Sequence, residues 1–168
     1  MNKLLDEQRW LQLLQDDERR LAEVSFRLYQ REMQLNSELA DYSFIVFDMA
    51  KAYEGFLKRY LFQLQLIDLP TFESKRFRLG RALNPDVRHD QRDSHWLFDD
   101  LTARCGDEIA RQLWSAWLKC RNRVFHYFPK EPALLTLEQA GDYLTEIGST
   151  IEAAVMCDQA RQFFLPRT

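Results

Sequence analysis

Glycine and proline are scarce, at five each in 168 residues, so the chain has few places to turn and its elements must be few and long. Histidine and cysteine are rarer still, at three each. Cys105, Cys120 and Cys157 form no close pair and share no metal-ligand spacing with a histidine. An odd, scattered set of this kind reads as buried thiols in a reducing compartment. Long apolar runs are missing. Stretches such as Phe44–Phe47 are far too short to span a bilayer, and Asp6 and Glu7 stand where a signal peptide needs apolar residues. Charge of one sign does not dominate either. A formal charge of −3 argues against broad binding of nucleic acid or membrane through net charge, while leaving room for a local basic site. A cytoplasmic protein without a membrane partner is expected.

What is present is helical periodicity. The length suits one domain, and 46% hydrophobic with 29% charged residues is an ordinary globular balance. From Lys3 to Leu35 no glycine or proline intervenes, and Leu14, Leu21, Leu28 and Leu35 recur every seventh residue, which predicts a long helix packed on a neighbour. Asp17 and Arg31 interrupt the alternate heptad positions, favouring an antiparallel hairpin over a coiled coil. A second long helix, apolar on most sides and hence central, spans about 41–68. An irregular connection follows, punctuated by Pro70, Gly80 and Pro85 and carrying Lys75, Arg76, Arg78, Arg81, Arg88 and Arg92. A short helix over 94–103, a longer one over 107–127, and a last one over 136–162 complete the chain. Thr136 with Gln139 forms a capping box for the last helix. No strand pattern competes with these helices. The expectation is an all-α, up-and-down bundle of about five helices in a single domain, 1–168. Residues 1–36 form its long N-terminal helix and 38–162 its core.

The helix from Asp107 has an unusual wheel. Leu113, Ala116, Trp117, Cys120 and Val124, with Ile109, Trp114, Leu118, Phe125 and Phe128, fill roughly half its circumference, more than a one-sided surface helix needs. That width predicts burial on two sides, inside the bundle or against a second molecule. His126 falls in the polar arc beside Asn122. Arg121 falls among the apolar residues near Trp114 and Trp117, where a guanidinium needs an acidic partner or an anion.

Each of these residues has a chemical use. Arginine offers a permanently charged planar fork that matches phosphate oxygens. Histidine can take or give a proton near neutrality, and well-placed acid–base catalysis contributes roughly 10²–10⁴-fold. RNA cleavage by internal attack needs little else: a group to orient or deprotonate the ribose 2′-OH, and a group to offset charge on the phosphate. It requires neither metal nor cofactor. On a straight helix, however, residues five apart lie about 140° apart, so Arg121 and His126 of one chain do not share a target. Unwinding of the last turn before Pro129 would answer this. So would a site composed across a twofold axis, which the wide apolar arc favours. The simpler readings are that His126 caps a helix C-terminus and that Arg121 only pairs with a carboxylate.

The segment Arg121–His126 resembles the signature of the HEPN superfamily: arginine, a polar residue, then histidine four to six residues after the arginine. Arg121, Asn122 and His126 match it. The resemblance implies a helical bundle and, in many members, a metal-independent endoribonuclease that dimerises to build one cleft from two motifs. Such proteins include toxins held by an antitoxin and phage-defence effectors. Residues 52–61 are similar to the acidic helix of RNase LS-type toxins, which would add Glu54 to the active site with Lys58 nearby; a plain Glu–Lys surface pair is the alternative. The chain departs from HEPN toxins silenced by nucleotidyltransferases, having Phe128 where those carry tyrosine.

The basic residues Arg76, Arg78 and Arg81, with Arg123 of the motif segment, are the candidate RNA contacts, since cations on phosphate supply most sequence-independent affinity. Single-stranded or loop RNA is the expected substrate, because an in-line 2′-OH needs a flexible strand. His89 and His95 receive no role, and Trp10 and Trp96 are packing residues. The leading expectation is thus a homodimeric endoribonuclease with an antitoxin or regulatory protein partner. The alternatives are a non-catalytic HEPN-like binding module and an unrelated helical adaptor.

Overall fold

The computed structural model describes residues 9–127, 129–130 and 133–164, and these are helical with no strand among them. Eight α-helices occur among the described residues, where about five were expected: α1 (Asp16–Leu35), α2 (Ser43–Gln63), α3 (Leu69–Glu73), α4 (Leu79–Ala82), α5 (Phe98–Cys105), α6 (Asp107–Trp117), α7 (Leu137–Val155) and α8 (Asp158–Phe164).

The surplus has local causes. The connection after α2 contains α3 and α4. Asp68 caps α3 by accepting the Thr71 N–H at 2.9 Å, and Pro70 sits in its first turn, where a missing N–H costs nothing. The long N-terminal helix is also broken. A 3₁₀ turn over Arg9–Leu13 precedes α1, which begins after Gln15 because the Glu18 carboxylate turns back to accept the Gln15 N–H at 2.9 Å. The expected residues 3–8 of that helix lie outside the described residues, as does Phe128. The last helix opens as expected, with Thr136 Oγ1 accepting the Gln139 N–H at 3.1 Å and Gln139 Oε1 accepting the Thr136 N–H at 2.9 Å. It divides at Met156 and Cys157.

Helix α2 is central, burying Ile45, Met49, Tyr53, Phe56, Leu57 and Tyr60 completely. Its two phenols tie it to its neighbours. Tyr53 donates to the Leu113 carbonyl of α6 at 3.0 Å, and Tyr60 donates to the Ala154 carbonyl of α7 at 2.9 Å. Burial pushes both phenols well up, so they remain neutral donors. Helix α1 lies along α2, locked by a buried Glu18–Arg59 pair at 2.6 Å. The Arg59 guanidinium also donates to the Leu13 carbonyl and lies 4.7 Å from the Phe164 ring centroid of α8. On the far side α7 approaches Trp10 so closely that a Cβ on Gly148 would meet the indole at 2.5 Å.

One expectation is overturned here. Cys105, the last residue of α5, and Cys157, just before α8, form a disulfide with Cα atoms 5.4 Å apart. Their separation of 52 residues hides the pair in sequence; α6 and α7 lie between them and return the chain to its starting point. Cys120 is the buried free thiol, its pKa raised by burial. A closed disulfide belongs to oxidising surroundings, so cysteine usage does not argue for a reducing compartment. No described helix is long and apolar enough to cross a membrane.

Candidate functional site

Helix α6 continues beyond Trp117 without a break, but its winding changes. Leu118–Arg123 form a π-helical segment, and the chain leaves the helix at Val124. Such segments bond i to i+5, one residue further along the chain than in an α-helix, and are frequent at functional sites. The predicted helix to Tyr127 therefore ends early and widens where the motif lies.

Two side chains of α2 hold this segment. Glu54 Oε2 accepts a hydrogen bond from the Arg121 guanidinium at 3.3 Å, and the Phe47 ring meets Phe125 edge-on at 5.5 Å. Glu54 and Phe47 lie seven residues apart on one face of α2, so the two contacts are about 10 Å apart along it. Higher numbers on α2 meet lower numbers on the motif, which makes the two segments antiparallel. Arg121 also stands over the Trp117 ring at 5.3 Å, and Trp117 stacks on Trp114 at 5.7 Å between centroids. The expectation that Arg121 needs an acidic partner in aromatic surroundings is met by Glu54. Each of the two side chains remains about one-third exposed, at 35% and 38%.

Arg121, Asn122 and Glu54 line one groove of about 570 Å³. Its opposite wall comes from the basic connection, with Lys75, Arg78 and Arg81. Gly80 makes this closure possible, because a Cβ there would fall 2.1 Å from Trp117 Cη2. The Trp117 indole N–H is buried and has no hydrogen-bond partner among the described residues.

The remaining predicted residues divide. Arg76 lines an adjoining cavity and not the groove. Lys58 donates to the Ser74 carbonyl at 3.1 Å, fixing the basic connection, and does not line the groove. Arg123 is exposed and sits near Tyr143 of α7, whose phenol burial raises and whose ionised form Arg123 favours. His126 is exposed and is not among the groove-lining residues. It follows Phe125, so it sits towards the Phe47 end of α2. The imidazole therefore stays outside the groove that Arg121 and Asn122 line.

Not all the basic connection is available to a ligand. Arg88 is paired with Asp90 at 3.0 Å, Arg81 with Asp93 at 2.9 Å, and the Arg92 guanidinium covers Trp96 at 3.9 Å. Lys75, Arg76 and Arg78 have no acidic partner among the described residues. Sequence reasoning passed over Phe77, Asn84 and Asp93 as lining residues; the alternation of cations and phenylalanine in Lys75–Arg78 was the available signal.

No family model matches the chain, and no curated protein or solved structure gives a significant match.

Proposed function

We infer that the protein is an endoribonuclease of the HEPN type, acting on single-stranded or loop RNA, in the manner of a toxin or defence effector restrained by a partner. The observation that carries this reading is the groove in which Arg121 and Asn122, backed by Glu54, share the lining with Lys75 and Arg78, cations that have no acidic partner among the described residues. A phosphodiester entering there meets the Arg121 fork at its non-bridging oxygens and offsets the charge that holds Glu54 to Arg121.

Cleavage then needs proton transfer. The ribose 2′-oxygen attacks phosphorus, a base takes its proton, and the 5′-oxygen leaves with a proton from an acid. Glu54 is assigned to hold Arg121 and His126 to proton transfer. Because His126 lies outside its own chain's groove, the imidazole is supplied by a second copy. Phe44 and Phe47 are exposed in the first turns of α2, where Phe47 meets Phe125, and Tyr127 is exposed next to His126; exposed apolar side chains of this kind are what a subunit contact would cover.

The position of His126 also favours one other reading, a binding module of the same build that holds RNA without cutting it. Incubating the purified protein with total RNA and mapping the new termini separates the two. The nuclease produces 2′,3′-cyclic phosphate and 5′-OH ends in the presence of a chelator, and His126→Ala removes them. RNA that is retained intact by the wild type selects the binding module.

A further inference from the structure

The basic connection has a second face. Beyond Phe77 a cavity of about 390 Å³ opens between α3 and the segment around His95. Its cations are Arg76, Arg78 and Arg81, and its apolar walls are Pro70 and Phe77. Arg81 is neutralised by Asp93, whose other carboxylate oxygen accepts the His95 N–H at 3.0 Å. Arg76 and Arg78 are left with donors and no acidic partner among the described residues. Phe77 is half-buried and stands 6.4 Å from the His95 ring.

These features select a ligand. Two unpaired guanidinium groups ask for phosphate. A phosphate alone occupies far less than this volume, which falls in the range of small-molecule sites of roughly 300–1,000 Å³. The aromatic wall beside the cations suits a flat heterocycle, since bases stack on aromatic side chains whatever their sequence. We propose that this cavity binds a nucleoside phosphate, with the phosphate on Arg76 and Arg78 and the base against Phe77. Phe77, Arg78 and Arg81 line both this cavity and the Arg121 groove. The nucleoside phosphate is therefore either one nucleotide of a strand that continues into the groove or a free nucleotide. The binding does not depend on cleavage.

Titration with adenosine 5′-monophosphate, followed by calorimetry and by the NMR signals of Phe77 and His95, tests this on the full chain, with inorganic phosphate as the reference ligand. The nucleotide is expected to bind more tightly than phosphate and to shift both residues' signals. Phe77→Leu should weaken the nucleotide about tenfold and leave phosphate unchanged, whereas Arg76→Ala and Arg78→Ala should each weaken both ligands about tenfold. A 2′-O-methyl tetranucleotide, which cannot be cleaved, distinguishes the sources. Tighter binding than the mononucleotide, lost with Arg121→Ala, assigns the cavity to a strand; equal or weaker binding assigns it to a free nucleotide. A mononucleotide that binds no better than phosphate, or a folded Phe77→Leu protein with undiminished affinity, overturns the proposal. Because these measurements involve no cleavage, they can fail while His126-dependent RNA cutting stands, and the reverse.

Discussion

The edge of the Trp117 indole occupies the space a side chain on Gly80 would need, with 2.1 Å between Cη2 and an added Cβ. This contact joins the basic connection to the motif helix. Gly80→Ala must push α4 away from α6, at a cost of about 1–3 kcal/mol for overpacking. The same displacement carries Arg78 and Arg81 away from Arg121, so under the proposed function RNA affinity should fall more than stability alone explains. Thermal denaturation and filter binding on the same protein measure the two effects. Unchanged RNA affinity would show that the groove does not need its second wall.

If Arg121 and His126 of different copies make one site, two inactive variants can repair each other. Arg121→Ala and His126→Ala proteins, unfolded and refolded together, should recover about a quarter of wild-type cleavage, since half the dimers are mixed and each holds one intact site. No recovery would place both residues' action within one chain. Phe47→Glu, at an exposed position beside Phe125, should yield monomers by ultracentrifugation and lose cleavage.

The loop after the motif is tied down by Asp41. Its Oδ1 accepts the N–H groups of Leu135 and Ser43, each at 3.0 Å, and Tyr42 donates its N–H to the Leu135 carbonyl. Burial alone would raise the Asp41 pKa, but these N–H groups and the Ser43 hydroxyl outweigh it and hold the carboxyl below its ordinary value. A lowered folded-state pKa adds stability above the ordinary aspartate pKa and loses it as pH falls through the folded value. Wild type should therefore exceed Asp41→Asn in urea midpoint at pH 7. The difference should shrink steadily below about pH 4.

The Cys105–Cys157 bond closes a loop of 52 residues that contains α6, the motif and α7. Chain-entropy arguments put its contribution at about 4 kcal/mol. Reduction, or Cys157→Ser, should lower the denaturation midpoint accordingly, with Cys120 untouched because it is buried. Equal midpoints with and without reductant would remove the disulfide from the forces holding the helices together.

The helices were legible because their causes are local. The apolar face of α2 and the Thr136 box lie in contiguous residues, and both appear where the pattern places them. The partnership of Arg121 with an acidic group was legible as a need, since a guanidinium among tryptophans requires one. The disulfide and the Gly80 contact were not legible, because each joins residues whose proximity depends on how whole helices return, and the pairing of Arg81 with Asp93 depends on the path of an irregular loop. The wheel drawn from Asp107 assumed 100° per residue throughout. Its sorting survives beyond Trp117, where the winding changes: Cys120 and Val124 are buried and His126 is exposed, as the wheel places them.

The further residue spanned by each hydrogen bond of Leu118–Arg123 makes the motif's geometry a matter of counting. Excising one position between Leu118 and Cys120 would let the backbone relax into tighter coiling. Arg121, His126 and the chain leading to the Asp41 anchor would all swing round together, with their chemistry intact and their aim lost. Deleting one residue of this segment should therefore change its geometry more than substituting one.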